Sequence, residues 1–252
     1  MNKDELINVI KNNLGNDISI DDIKRELDKY ICLLTRSNAD LVERSINSDP
    51  RYPNKMRDYI TQLGIYQNES SIPTIRERLD REHLEEYIWI VATENSIQGK
   101  RAIVKTHIAD FILNSANFYE RLRDGDWSLV EDMEAEVYKK NLGRRINRHE
   151  CSWCSKICKY LHEALFNNDA YYIYDNNVKN RLNDYRKKYN LSLTPKRSIN
   201  IKYNENWYQN LCLSMDELKE KRNGCGENLT RNEIDHILWG FTKYPVEVSR
   251  IK

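Results

Sequence analysis

The residues best suited to chemistry in this 252-residue chain lie in two neighbouring stretches, Cys151-Ser-Trp-Cys-Ser-Lys156-Ile-Cys-Lys-Tyr-Leu-His162 and Tyr171-Tyr-Ile-Tyr-Asp175-Asn-Asn-Val178. Lys156 falls near the start of a helix otherwise rich in apolar residues. Asp175 follows nineteen residues later, at the end of an aromatic run where the next helix begins. A carboxylate there has two uses. It can cap the helix by accepting from free N–H groups, or it can project into a cleft between the two helices. A lysine at a helix start is equally able to be an ordinary exposed side chain.

Cys151, Cys154, Cys158 and His162 recur every three or four residues and so share one helix face, a pattern that resembles a metal motif. Geometry argues against it. On a helix they span about 16 Å, whereas a tetrahedral zinc needs all its ligands within about 2.3 Å. Buried structural thiols are the expectation, since free cysteine packs as a small hydrophobe, and no metal or other cofactor is expected. Tyr171, Tyr172 and Tyr174 can stack a nucleobase or fill a core. The one glycine-rich turn, Asn223-Gly-Cys225-Gly-Glu227, follows a helix and lacks the Gly-Lys-Ser/Thr ending of a nucleotide loop, so it reads as a helix C-cap. His83, His107, His149, His162 and His236 show no partner pattern for a catalytic triad. A hydrolase of that type is not expected.

The elements that must position these residues are helices. Apolar residues recur at helical spacing over residues 20–46, 56–63, 76–93, 100–119, 127–140, 151–165, 176–189 and 205–222. Asp21 or Asp22 is placed to cap the first of these. Thr230-Arg-Asn-Glu233 is a capping box that announces a last helix through Ile234, Ile237, Leu238 and Phe241. Residues 191–203 alternate enough for one short extended piece. The fold expected is all-α, an array of roughly nine to eleven helices with two lobes around a cleft. Residues 1–75 would pack as an N-terminal helical segment on a core of residues 76–252.

Composition narrows the function. With 31% charged and 40% apolar residues the chain is globular, not disordered. Forty Lys+Arg against 39 Asp+Glu leave a formal charge of +1, which excludes indiscriminate coating of nucleic acid. The neutrality hides an asymmetry. Residues 139–202 hold fifteen Lys/Arg against five Asp/Glu, among them Lys139, Lys140, Arg144, Arg145, Arg148, Arg186, Lys187, Lys188, Lys196 and Arg197. Such a stripe is the footprint of a phosphate-backbone binder, or else a solvated face. No apolar window approaches the ~18 residues of a membrane helix, no secretory signal is visible at the start, and the six cysteines fit a reduced cytoplasmic protein.

On these residues the chain resembles the helix–hairpin–helix DNA glycosylase superfamily, in the manner of the 8-oxoguanine glycosylases. In that family a lysine opens the helix after the hairpin and an aspartate follows about twenty residues on, as Lys156 and Asp175 do. Tyr172-Ile-Tyr-Asp175-Asn-Asn-Val178 resembles the family's apolar-x-x-Asp segment. The chain is also similar to uncharacterised bacterial proteins with Ser-Lys or Thr-Lys, then Ile-Tyr-Asp, then a late Ile-Asp-x-x-Leu-Trp, here Ile234-Asp235-His-Ile-Leu238-Trp239. The likeness runs from about Arg76 to Phe241, and its diagnostic part is some thirty residues. It departs at the hairpin, where Ser152 and Cys154 stand in place of glycines whose amides grip a DNA phosphate.

The resemblance implies duplex DNA as partner, with a modified or damaged base flipped out and excised. It implies Lys156 as nucleophile at the sugar C1′ and Asp175 as the carboxylate that stabilises charge there. A lysine nucleophile forms a Schiff base and so permits AP-lyase strand scission. Arg144, Arg145, Arg148, Lys139 and Lys140 would hold the DNA backbone, and the polar turn from Asn95 to Gln98 lies where the family inserts a filler side chain. Trp153, Tyr172 and Tyr174 would line the base pocket. The setting implied is bacterial or phage. The rival expectation is a non-catalytic nucleic-acid-binding or protein-interaction module on the same scaffold, with Lys156 and Asp175 structural.

Overall fold

Eight glycines and five prolines leave long stretches in which nothing interrupts helical propensity. The computed structural model describes residues 1–15, 17–48, 55–95, 102–142, 149–166, 169–191, 199–202, 204–240 and 244–251. Among them the chain forms α1 (Lys3–Leu14), α2 (Ile20–Leu27), β1 (Tyr30–Cys32), α3 (Arg36–Ser48), α4 (Lys55–Gln62), α5 (Ile72–Arg78), α6 (Arg81–Glu94) and α7 (Ala102–Asn114). There follow α8 (Phe118–Arg123), α9 (Ser128–Leu142), α10 (Cys151–Phe166), α11 (Asn176–Lys188), α12 (Trp207–Asn223), α13 (Arg231–Gly240) and β2 (Val248–Arg250). The fold is all-α, with one two-stranded antiparallel ribbon. No described helix is long and apolar enough to cross a membrane.

The described helices number thirteen, not nine to eleven, because α1 lies ahead of the expected stretches and three of those are each broken once. The stretch expected over 20–46 is cut by β1, whose Tyr30, Ile31 and Cys32 pair with Arg250, Ser249 and Val248. The cap of α2 is Ser19, which accepts from Asp22 N–H, and not Asp21 or Asp22. The stretch over 76–93 is cut at Asp80, whose carboxylate accepts from His83 N–H at 3.1 Å and so starts α6 afresh. The stretch over 100–119 stops at Ser115, whose hydroxyl back-bonds to the Phe111 carbonyl at 2.7 Å. The extended piece expected over 191–203 falls largely outside the described residues, and residues 199–202 form no strand.

The chain divides into two units, and not at residue 75. The first comprises residues 1–50, 176–197 and 213–252. The second comprises 51–175 and 198–212. In the first unit α3 packs on α13, and Asn38 binds the turn into β2 through Glu247 O at 3.0 Å and Glu247 N at 2.8 Å. Thr230 and Glu233 cap α13 reciprocally, as the capping box predicts. This unit also holds a cavity of about 330 Å³ lined by Lys3, Lys24, Leu27, Asp28, Arg181 and Tyr185 among others. Arg181 is already engaged by Asp28 at 2.8 Å and Lys24 by Asp21 at 3.3 Å, which leaves little charge for a ligand.

The second unit is built around α9 and α10. The former packs on α7 and α10, the latter on α4, α6, α8 and α9. Leu84, Tyr87, Ile88 and Val91 of α6, Val130, Met133 and Val137 of α9, and Ile157 and Leu161 of α10 are fully buried. Each large apolar side chain so removed from water contributes about 1.5–3 kcal/mol.

Candidate functional site

Almost the whole circumference of α10 is covered. Cys151, Trp153, Cys154, Ser155, Ile157, Cys158, Lys159, Leu161, His162, Ala164 and Leu165 are all buried. The residues left partly open are Ser152, Lys156, Tyr160, Glu163 and Phe166. Their spacing of four, four, three and three places them on one stripe, so Lys156 sits on the side of this helix that solvent reaches. The three cysteines pack inside as thiols, and burial pushes the thiols of Cys154 and Cys158 up. Among the described residues no three His, Cys, Asp or Glu side chains gather in a way that could hold a metal.

The chain leaves α10 and returns along it as residues 169–175, an extended segment without a strand partner. Its polar groups are met by side chains instead. Trp127 Nε1–H donates to Ala170 O at 2.8 Å, and Lys159 Nζ donates to Tyr171 O at 3.1 Å. The Tyr208 hydroxyl accepts from Tyr172 N–H at 3.1 Å and donates to Tyr172 O at 2.6 Å. Gly125, at φ +69°, lets the segment pass close, since a Cβ there would stand 3.1 Å from that of Ala170. Last, Tyr174 N–H donates to Ser155 Oγ at 3.0 Å. That bond joins the residue before Asp175 to the residue before Lys156. Both expected site residues are half-buried, and both have polar or charged partners of their own.

Tyr160, one turn beyond Lys156 on the open stripe, donates through its hydroxyl to Asn95 Oδ1 at 2.8 Å. Asn95 also closes α6, its Nδ2 donating to Val91 O at 2.9 Å. These two bonds fix the half-buried Asn95 side chain at the end of α6, and a role as filler in DNA would require breaking them. Gln98 lies outside the described residues.

The expected base pocket is also corrected. Trp153 and Tyr172 are fully buried and Tyr174 nearly so. The Tyr174 ring meets Trp207 edge-on at 4.7 Å, and its hydroxyl donates to Ile199 O at 3.1 Å. Tyr172 and Tyr174 belong to the Asp175 segment itself, and all three rings are packed in the interior. Ser152 and Cys154, at the family's glycine positions, both lie in the first turn of α10 and not in a hairpin.

Only part of the basic stripe falls among the described residues. Arg144, Arg145, Arg148, Lys196 and Arg197 lie outside the described residues. Lys139, at 80% exposure, stands 3.8 Å from Glu136, and Lys140 is paired with Asp110 at 3.3 Å. Burial raises the Asp110 carboxyl, yet Arg81 and Lys140 outweigh that and hold it below the usual range. Arg186 is buried and donates to Ser214 Oγ, and it belongs with Lys187 and Lys188 to the other unit.

Three groups escaped notice in the sequence. Lys159, only 2% exposed, is an interior cation paired with Glu163 at 3.2 Å and Asp169 at 3.6 Å. Its i,i+4 spacing to Glu163 was the one available signal. Glu131 accepts from Tyr208 N–H at 2.8 Å, Gln209 N–H at 3.0 Å and Gln209 Nε2 at 2.8 Å, and thereby caps α12 from a distance no sequence pattern reveals. Glu134 is buried and paired with His149, their nearest atoms 2.8 Å apart. The site thus brings together the turn of α10 that carries a half-buried Lys156 and the segment that ends at a half-buried Asp175, joined through Ser155 and Tyr174. Comparison with known proteins finds no matching family model, no matching curated protein and no matching solved structure.

Proposed function

We propose that the chain is a DNA glycosylase with AP-lyase activity, acting on a modified or damaged base flipped out of duplex DNA, in the cytoplasm of a bacterial or phage-infected cell. The observation that carries this reading is the Tyr174 N–H to Ser155 Oγ bond at 3.0 Å, which keeps the Asp175 segment against the turn of α10 that bears Lys156. A nucleophilic lysine works as the free amine, which partial desolvation favours. The Lys156 amine attacks the sugar C1′, the N-glycosidic bond breaks, and the base leaves with the electron pair and takes up a proton. Asp175 stabilises the positive charge that develops on the sugar. The aminosugar then opens to a Schiff base, from which elimination cleaves the strand on the 3′ side.

One observation favours the second reading, a non-catalytic nucleic-acid-binding or protein-interaction module. All three aromatic rings that would grip the base are buried. Borohydride trapping on a duplex with an abasic site separates the two without knowledge of the base. The enzyme yields a covalent adduct that Lys156→Gln abolishes, and Asp175→Asn slows it by about 10²-fold or more. No adduct, on this duplex or on a panel of modified bases, overturns the glycosylase reading, and retained DNA binding in that case selects the second.

A further inference from the structure

The only described carboxylate–imidazole pair directly ahead of α10 is Glu134 with His149. Glu134, from the middle of α9, is buried and lies 2.8 Å from His149 Nδ1 through Oε1, which also accepts from Glu150 N–H at 3.3 Å. A ring proton on Nδ1 is therefore donated to the carboxylate. Tyr138, one turn further along α9, stacks on the imidazole with ring centroids 3.9 Å apart and planes 10° from parallel. The ring is fixed along one edge and over one face. Its side chain remains 29% exposed, and Nε2 is not among the buried polar atoms that lack a partner.

Removing a carboxylate from water is costly. Burial raises the Glu134 carboxyl above its usual range, and only the bonds to His149 and Glu150 pull it back. Capping Glu150 N–H alone would need no charge, since a glutamine amide accepts as well. What a carboxylate adds is orientation of the imidazole and a negative charge beside its Nδ1. An imidazolium so held offers Nε2–H outward as a fixed, charged donor. It does so two residues before α10 and seven before Lys156, with Ser152 and Cys154 helical and therefore unable to offer a hairpin grip.

We infer that His149 binds a backbone phosphate of the DNA, its imidazolium held between the Glu134 carboxylate at Nδ1 and a phosphate oxygen at Nε2. The inference rests on DNA being the partner. A ring already immobilised by Glu134 and Tyr138 loses little freedom on binding. The contact positions the duplex without reading its sequence.

The test is a salt titration of full-chain binding to a duplex with a stable abasic-site analogue, at about pH 6. His149→Gln is expected to weaken binding several-fold and to lower the slope of log K against log salt by about 0.9, one phosphate's worth of released counterion. His149→Arg restores the slope, and Glu134→Gln, which keeps the histidine and an acceptor for it but removes the charge behind it, falls between. An unchanged slope and affinity in His149→Gln overturns the inference while leaving DNA binding intact. A weaker His149→Gln with an unchanged slope that arginine does not rescue also overturns it, since that marks a structural role. A wild-type chain that does not bind the duplex removes the DNA reading itself, and the inference with it.

Discussion

Replacing Ser155 by alanine tests the bond on which the site depends. Ser155 is fully buried, and its Oγ is the acceptor for the buried Tyr174 N–H at 3.0 Å. Truncation leaves that N–H with no partner and no water, a loss of about 1–3 kcal/mol. The second bond of the hydroxyl, to Ser152 O at 3.2 Å, is a local back-bond within α10 and adds little. Alanine returns about 0.5 kcal/mol through its higher helix propensity. The net loss is about 0.5–2.5 kcal/mol, and at ~2–4 °C per kcal/mol for a chain of this size the melting temperature falls by about 5 °C at mid-range. Thermal unfolding followed by circular dichroism gives the shift, and hydrogen exchange at the Tyr174 amide reports the bond directly. The Ser155→Ala variant should exchange that amide faster than wild type while the amides of α6 and α7 keep their protection. A melting point within about 1 °C of wild type, well under the shift expected, together with unchanged protection at Tyr174, refutes the claim that this bond holds the Asp175 segment to α10.

Lys159→Met keeps the length of the side chain but leaves Glu163, Asp169 and the Tyr171 carbonyl without their cation. Urea denaturation should show a loss of about 2–3 kcal/mol, below the ~3–5 of a fully buried pair because both carboxylates keep partial access to water; a loss under about 1 kcal/mol would mean the cation is dispensable. Acid should destabilise the second unit through Asp110 and Asp126. Burial raises both carboxyls, but hydrogen bonds and charge from Arg81 and Lys140 at Asp110, and from Ser128 and Arg121 at Asp126, outweigh it and leave both lowered. Carboxyls lowered on folding contribute fully above their unfolded value near 4, and that contribution is lost as pH falls through the folded values. The urea midpoint should therefore drop below about pH 4, and Asp126→Asn should flatten the drop; a midpoint independent of pH there argues against these pairs.

Helix existence was legible wherever one apolar stripe serves one helix, as in α4, α9, α10, α11 and α13. It failed where the stripe continues through a break. The period over residues 20–46 is unbroken, yet Tyr30–Cys32 leaves the helix because its pairing partner, Val248–Arg250, lies more than 200 residues away. The break at Asp80 was closer to the surface of the sequence, since an aspartate three residues before His83 is an N-cap in waiting. The site divides in the same manner. The nineteen-residue spacing of Lys156 and Asp175 is local, and local geometry suffices to bring their segments together. Lys156 and Lys159 differ by three residues on one helix, and which of them faces the interior is decided by Asp169 and Tyr171, on a segment the helix period does not describe. The aromatic run had two readings, pocket and core, and the hydroxyl of Tyr208 and the edge of Trp207 decide for the core. The Glu134–His149 pair lies fifteen residues apart, Glu134 on α9 and His149 just ahead of α10, beyond any single-helix spacing.

The segment from Ala170 to Tyr174 is held by Trp127, Lys159, Tyr208 and Ser155, one backbone group at a time. A β-strand can slip by two residues and recover an equivalent ladder, but four unlike side chains from three places in the chain offer no second alignment. The segment therefore works as a ruler with one valid setting. A single residue inserted after Phe166 and not absorbed before Ala170 would displace Asp175 by about 3.3 Å, more than a hydrogen bond's length. Length here, more than residue type, is what natural or laboratory variation must conserve.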